Sequence, residues 1–431
     1  MDRYSKIYIN AQDCLPITCD EEISNALFYF IAEVEPEIFH FSTNGKEEES
    51  IVYFDYQKRQ WFANRYIGEC EFIYKGRIFV LKIDPRFGHG LLVKLFEYIY
   101  STKLPPSYHS LANKRTIDIH KLVVSLIWTS HLKKALKHGL FKKNKRIRES
   151  GTTIRGKFLV KESLIDIRVK NNLRYEYLLK DIDNIPNRIL YKAYKILKKS
   201  YFLSDGLLSN IIRSDFKKLG CIDGLDYRIP YSDYQSIKYS HLYAAYKPLI
   251  DLSWQIVNSK EIGLASSDVQ KNSFYLDMAE VWELFVHRVL TKNLRPHGWI
   301  MLDPEYEIYG NTFFKRTIKP DLVLENNGKV LVVDAKYKRM KFRKEDVDRE
   351  DIFQIHTYSY YFDEPNKTVF STLVYPIEFE NNSSTSRHTL FGKNISKNSF
   401  FIEGIQVAIP ELIEDQIEVF VNSLNSKLAE T

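Results

Sequence analysis

The sequence predicts a multidomain α+β protein: a β-rich region over residues 1–104, a mainly helical one over 105–265 and an α/β one over 266–431. Three observations carry this prediction. Short runs rich in Ile, Val, Phe and Tyr recur through the first hundred residues. Apolar residues then recur at helical spacing from about 115 to 295. From about 300, strand-like and helix-like segments alternate, the pattern of an α/β domain. A chain of 431 residues is long enough for each region to bury its own core. A hydrophobic content of 44% and an aromatic content of 14% describe a folded chain rather than a disordered one.

In the first region, residues 51–54, 61–62, 70–74 and 77–83 read as strands, and Lys75-Gly76 marks a hairpin between the last two. Residues 84–90 break the pattern, helical spacing begins near Leu91, and Pro105-Pro106 marks a boundary. Between about residues 115 and 295, residues 119–140, 175–180, 189–201 and 277–290 read as helical, and residues 153–160 as an inserted strand or loop. In the third, residues 300–309, 321–325 and 330–337 read as strands and 351–361 as a helix. Residues 368–375 form a further strand, ended by Pro376. Residues 401–409 give one or two more, and 413–428 close the chain as a helix.

The 62 basic and 55 acidic residues leave a net charge of +7, and basic residues crowd residues 133–157. That crowding is expected either to meet a polyanion or to form a solvated basic helix and loop. Cys14, Cys19, Cys70 and Cys221 make no C-x-x-C pair, which argues against a zinc site or a disulfide framework. No apolar signal core follows Met1 and no apolar run approaches a membrane span, so a soluble cytoplasmic protein is expected. The sequence has no Walker A motif, no G-x-S-x-G elbow and no H-E-x-x-H, so it shows no nucleotide motor, serine hydrolase or zincin signature.

The chemistry concentrates in residues 319–337. Two apolar runs flank Asn327-Gly328, the strongest short-range hairpin signal. A two-residue turn there pairs Asn326 with Lys329 and, counting outward, Asp321 with Asp334. Side chains alternate faces along a strand, so Lys336 shares a face with Asp334. Opposed carboxylates destabilise a strand pair. A divalent cation with hard oxygen ligands offsets that repulsion, and Mg²⁺ is expected, or Mn²⁺ in its place. A lysine beside a metal-bound water suits phosphodiester hydrolysis.

This set matches the PD-(D/E)xK nuclease pattern, with Pro320-Asp321 as the first element and Asp334-Ala335-Lys336 as the second. Gln354 and Tyr358 lie four apart on one helical face, a pair that often follows the lysine strand in that superfamily. Such folds usually begin with a helix carrying a glutamate that completes the metal shell. Glu283 is preferred here over Glu280, one turn away. Lys338, Arg339, Lys341 and Arg343 follow the site and are expected, with Tyr358, to contact DNA. His287, His297 and His356 are not read as ligands.

Four blocks together resemble the McrC family, the nuclease subunit of modification-dependent McrBC restriction systems. They are Trp61 to Gly68 with Ile83 to Gly88; Gly139-Leu140 with Ile154 to Lys157; the helix from Asp277-Met278 to Phe285-Val286; and the nuclease core with Asp351, Gln354 and Tyr358. They span about residues 60 to 360. The resemblance implies a PD-(D/E)xK restriction-endonuclease-like domain over 266–431 and a partner-docking domain over 1–104. It also implies a McrB-like partner, a hexameric AAA+ GTPase whose activity this chain stimulates, and double-stranded DNA as substrate in anti-phage defence. This chain alone is then expected to bind no nucleotide and no membrane.

The expected roles are Asp321 and Asp334 as metal ligands with Glu283 in support, Lys336 at the attacking water, and Gln354 orienting water or phosphate. Two rival readings are a non-catalytic ring-docking regulator of an AAA+ motor and a stand-alone repair nuclease.

Overall fold

The computed structural model describes residues 6–35, 40–41, 49–101, 119–164, 172–200, 203, 207–224, 228–265, 274–303, 305–309, 312–343, 346–378, 388–389 and 398–429. The Pro105-Pro106 boundary lies outside them. The chain divides into two compact units: residues 1–120 together with 272–431, and residues 121–271.

In chain order the first unit begins with β1 (Lys6–Gln12), β2 (Pro16–Ile17), α1 (Glu21–Tyr29), β3 (His40–Phe41), β4 (Val52–Asp55), β5 (Gln60–Ala63), β6 (Tyr66–Tyr74), β7 (Arg77–Asp84) and α2 (Gly88–Tyr100). The second unit holds α3 (Ile119–Ala135), β8 (Lys143–Gly151), β9 (Lys157–Phe158), β10 (Leu173–Asp181), α4 (Ile185–Ser200), α5 (Asn210–Gly220), α6 (Tyr231–Gln235) and α7 (Tyr246–Ala265). The first unit resumes with β11 (Phe274–Asp277), α8 (Met278–Leu294), β12 (Ile300–Met301), β13 (Tyr306–Ile308), β14 (Arg316–Ile318), β15 (Leu322–Asn326) and β16 (Lys329–Ala335). It ends with α9 (Arg349–Tyr361), β17 (Thr368–Ile377), β18 (His388–Thr389), β19 (Ser399–Gln406) and α10 (Ile413–Ala429).

The N-terminal sheet runs β1-β7-β6-β11-β3, so its fourth strand comes from beyond the second unit. The β6–β7 hairpin turns at Lys75 (φ 49°) and Gly76 (φ 76°), the paired positive angles that a tight hairpin of this twist demands. Beneath it, Phe30, Trp61, Phe72, Phe79 and Tyr275 form a buried core. Helix α1, capped by the Asp20 side chain on the Ile23 amide, ends in one π-helical turn over Phe30–Val34.

Glu35 follows that turn, buried, its carboxylate accepting the Ile51 amide. Burial pushes this carboxyl from its ordinary 4.5 up to about 7. The folded state therefore holds the proton more tightly than the unfolded chain. The contribution to stability is full below about pH 4.5 and is lost as pH rises through about 7. Glu35→Gln is expected to raise the thermal midpoint at pH 8 by a few degrees and to leave it unchanged at pH 4. Equal shifts at both pH values would refute the assignment.

The C-terminal sheet runs β12-β15-β16-β17-β19-β18. Strands β16, β17 and β19 are parallel, whereas β15–β16 is an antiparallel hairpin. Both faces of β16 and β17 are buried beneath helices that include α8 and α9, which is why those strands read as unbroken apolar runs. Val323, Val330, Val332, Ile355 and Tyr358 share one core cluster, so α9 covers the face of the even-numbered β16 positions. Trp282 of α8 is fully buried and donates its indole N–H to the Val374 carbonyl at 3.0 Å, fastening that helix to β17.

Three expectations need correction. Residues 175–180 are not helical. They form the middle of β10, paired antiparallel along its length with β8. Across the pair, Arg148 lies opposite Glu176 with Nε–Oε2 at 2.9 Å, and Arg146 reaches the same carboxylate at 3.3 Å. The basic run is therefore a strand over residues 143–151, and much of its charge is matched locally. Residues 300–309 form two short strands in different sheets, not one. Finally, β17 does not stop before Pro376. Pairing with β16 ends at Ala335–Val374, so the proline, beyond it, removes no ladder bond there.

Among the described residues the four cysteines are free, and no helix is long and apolar enough to cross a membrane.

Candidate active site

The hairpin register is the one the turn predicts. Asn327 (φ 47°) and Gly328 (φ 77°) make the turn, Asn326 pairs with Lys329, and Leu322 pairs with Val333. One step further out, Asp321 stands just before β15 and opposite Asp334. Its Oδ2 accepts the Ala335 amide at 2.8 Å, which holds the carboxylate across the strand end. Asp334 has the parity of Val330 and Val332 and so lies on the α9 side of the sheet.

Lys336, half-buried on that same face, gathers the site. Its Nζ lies 2.7 Å from Asp334 Oδ2 and 3.5 Å from Asp351 Oδ1, and it donates to Gln354 Oε1 at 2.8 Å. Gln354 Nε2 donates to the Tyr358 hydroxyl at 2.7 Å, and that hydroxyl donates to the Lys319 carbonyl at 3.3 Å. The i,i+4 pair on α9 thus forms a relay from the lysine to the segment just before the first acid. Tyr358 is buried, and its ring belongs to the core as well.

Asp334 is 2% exposed. Burial pushes its carboxyl up to about 7, the nearby Asp321 charge adds to the rise, and Lys336 opposes it. Burial alone would lower the Lys336 amine, but Asp334, Asp351 and Asp321 outweigh it and hold the amine above its ordinary value. The donors able to hold a cation are the Asp321 and Asp334 carboxylates. Among the described residues no three His, Cys, Asp or Glu side chains group closely enough to form a metal cluster. Two carboxylates still suit Mg²⁺, which commonly keeps several waters and takes other ligands from substrate phosphate. Asp334 Oδ2 is buried against the Lys336 ammonium at 2.7 Å, and a carboxylate oxygen so placed keeps a further lone pair for such an ion.

A cavity of about 620 Å³ opens on these groups, and Glu283 of α8 lines it. Glu280, one turn away, is buried beside Tyr100 instead. Of the basic residues after the site, Lys338 is committed to acids, with Nζ 2.8 Å from Asp351 Oδ2 and a further contact to Asp348. Arg339 is half-exposed, 3.8 Å from Glu378. Lys341 and Arg343 lie on a turn whose backbone amides both donate to Asp346 Oδ2.

Sequence reasoning assigned no role to two participants: Asp351, which it named only as part of the nuclease core, and Arg65. Asp351 bridges Lys336 and Lys338 from the first turn of α9. Arg65, on the N-terminal wall of the same cavity, binds Asp277 Oδ2 at 3.0 Å and Glu49 Oε1 at 2.8 Å. Asp277 Oδ1 in turn caps α8, accepting the Ala279 amide at 2.8 Å, so Arg65 fixes the start of the helix that carries Glu283. Only the Asp277 cap had a local signal. The Arg65 contact spans 212 positions and has none.

Against known proteins, the fold resembles a chain in a refined half-complex from a tetradecameric assembly of Thermococcus gammatolerans McrB AAA+ hexamers with bound McrC. Identity is 17%, coverage is 98% of this chain and 100% of that one, and the TM-score is 0.50. A chain of the cryo-EM structure of the T. gammatolerans McrBC complex also matches, at 16% identity over 67% of this chain and 88% of that one, with a TM-score of 0.34. At 17% identity the first likeness bears on the mixed α+β fold alone. No curated protein matches. The family model for the McrBC 5-methylcytosine restriction system component covers residues 63–376, from the Arg65 wall through the hairpin, α9 and β17. The chain belongs to the McrBC family.

Proposed function

We propose that this chain is the DNA-cleaving subunit of a McrBC-type restriction complex, and that residues 266–431 form a PD-(D/E)xK nuclease domain. The observation that carries the reading is the convergence of Asp321, Asp334, Lys336 and Gln354 at one strand end, in a chain of this family. Asp321 and Asp334 would hold Mg²⁺, with Glu283 lining the approach. Bound there, the ion would supply charge stabilisation at the scissile phosphate and a more acidic water. Lys336 places a fixed cation where negative charge develops on the phosphate, and Gln354 holds that amine in position. Tyr358 fixes Gln354 rather than reaching for DNA. Arg339, Lys341 and Arg343 provide backbone contacts on the flank.

The similar T. gammatolerans chain comes from an assembly of McrB AAA+ hexamers with bound McrC. We extend that partnership to this chain: residues 1–104 dock on a McrB-like NTPase ring and stimulate it, and 105–265 form a middle region. The test is reconstitution of the purified chain with such a partner, double-stranded DNA, Mg²⁺ and GTP or ATP. Cleavage is expected only with both proteins, nucleotide and Mg²⁺ present, together with faster NTP hydrolysis by the ring. Cleavage by this chain alone would favour a stand-alone nuclease, and faster hydrolysis with no cleavage a docking regulator.

A further inference from the structure

Resting on the reading of residues 266–431 as a nuclease domain, we propose that the β13–β14 hairpin is an arm that seats Phe313 against a base step of double-stranded DNA beside the candidate cleavage site. Strands β13 and β14 form a two-stranded sheet of their own, with Tyr306 opposite Ile318 and Ile308 opposite Arg316. The base of the arm is anchored in the core. Ile318 is buried, and the Tyr306 ring lies 5.2 Å from that of Tyr361 and 4.9 Å from that of Phe362 at the end of α9. The tip is the reverse: Phe313 is 99% exposed, Tyr309 59% and Phe314 41%.

A lone exposed apolar residue needs no explanation, but these three rings touch. Phe313 meets Phe314 edge-on with centroids 5.0 Å apart, and Phe314 lies 5.2 Å from Tyr309. The tip is also held in shape. Tyr309 takes φ 57°, a costly angle for a bulky side chain, and the Thr312 amide and hydroxyl both donate to its carbonyl, at 3.0 and 2.8 Å. Charge is balanced around this tip. Lys315 pairs with Glu307 at 2.7 Å and Lys319 with Glu305 at 3.1 Å, while Arg316 donates to the Lys315 carbonyl at 2.9 Å. The arm therefore offers aromatic surface more than charge, which suits bases rather than phosphates.

Position decides for DNA over a protein partner. Strand β14 leads through Lys319 and Pro320 directly into Asp321, and Lys319 and Asp321 both line the candidate active-site cavity. The Tyr358 hydroxyl fixes the Lys319 carbonyl, so the arm and the first acid belong to one held segment. Phe313 precedes Asp321 by eight residues, which bounds the distance between their backbones at about 26 Å. That is less than one turn of B-DNA, about 34 Å, so the tip lies within the footprint of a duplex whose phosphate reaches Asp321 and Asp334. An apolar side chain inserted at a base step partly unstacks it.

The experiment compares Phe313→Ala and Phe313→Trp with the parent chain and with Tyr56→Ala, which removes another exposed aromatic side chain, from the β4–β5 turn. Binding of a fluorescein-labelled DNA duplex is followed by anisotropy in EDTA across a KCl series. Duplexes carrying 2-aminopurine report base unstacking, and thermal unfolding checks the fold. Phe313→Ala is expected to bind about tenfold more weakly and to lose the 2-aminopurine fluorescence gain that the parent produces. Its slope of log Kd against log salt should stay that of the parent, because an aromatic contact releases no counterions. Phe313→Trp should restore both signals, and Tyr56→Ala should match the parent. A Phe313→Ala protein that binds and unstacks DNA like the parent overturns the proposal, as does an equal loss in Tyr56→Ala. So does intact duplex binding with weaker stimulation of a McrB-like ring, which assigns the tip to a protein partner. EDTA excludes cleavage, so these outcomes do not depend on whether Asp334 and Lys336 cut DNA.

Discussion

Lys336→Ala lowers the DNA-cleavage rate of the reconstituted complex by about 10³-fold while leaving DNA affinity within about twofold. The magnitude is that of removing one preorganised charge aimed at a developing oxyanion. The selectivity for rate over binding follows from place. The amine is half-buried against Asp334, Asp351 and Gln354 and is one cation among many for the backbone, yet it is the one fixed at the strand end. Two pH measurements separate this role from a structural one. Lys336 opposes the rise of the Asp334 carboxyl to about 7, so its loss moves the acid limb of residual activity to higher pH. Asp321→Asn removes the like charge that adds to the rise, so Asp334 should titrate lower in that variant. The same logic governs metal affinity. Protonated Asp334 is a poor ligand, so the Mg²⁺-induced gain in thermal midpoint should grow as pH rises through about 7. Asp334→Ala should abolish both that gain and cleavage. Full cleavage by Lys336→Ala or Asp334→Ala with the partner intact would remove the assignment.

Arg86→Ala is expected to destabilise the unit formed by residues 1–120 and 272–431 by about 3–5 kcal/mol, the range for breaking a buried ion pair from one side. Arg86 and Asp13 are both buried, with Nε 3.9 Å from Oδ2, and the Arg86 amide also donates to Asp13 Oδ1. The guanidinium lies over Tyr337 at 4.4 Å and over Phe87 at 4.7 Å, so its loss removes two cation–π contacts as well. Burial already pushes the Asp13 carboxyl up, and Arg86 is the main opposing charge. Without it Asp13 must take a proton or remain charged and alone. A fall in thermal midpoint of about 10 °C or more is expected. Asp13→Asn combined with Arg86→Met should recover at least half of it, because replacing both partners leaves no orphan charge. An Arg86→Ala protein that melts with the parent would show that the pair contributes nothing. Tyr337 directly follows Lys336, so the same variant should also slow cleavage in the protein that remains folded.

The hairpin was legible because its information is local. A turn that needs two positive φ values takes Asn327-Gly328, and once the turn is set, strand alternation places Asp321, Asp334 and Lys336 without further assumption. The helices over Asp277 to Leu290 and Asp351 to Tyr361 were legible from their helical spacing for the same reason. The strand at Leu173–Asp181 was not. A short run containing Tyr177, Leu178 and Leu179 fits either period, and what decides it is pairing with Lys143–Gly151, across a separation that no local pattern reports. Arg65, Arg86 and Asp13 were missed on the same grounds. Each acts on a partner dozens to hundreds of positions away. Helix α1 carried its signal in Asp20, Glu21 and Glu22, an N-cap followed by acids in the first turn, but lies in a stretch whose strands dominated the reading.

Strand β11 sets the order in which this protein can be made. Its residues, Phe274–Asp277, pair with Tyr66–Glu69 of β6 and, on the other side, with His40–Phe41. A ribosome delivers β6 and β7 roughly 190 residues before it delivers β11. At about 5–20 residues per second the nascent sheet waits on the order of ten to forty seconds with that edge of β6 unpaired. An open edge of that kind is a template for other chains. The unit over 121–271 is complete at its own C-terminal boundary and can fold during the wait. The earlier segment cannot close until the last third of the chain emerges. When β11 docks, it carries the α8 cap and Glu283 with it, so closing the N-terminal sheet and raising one wall of the candidate active site are the same late event of synthesis.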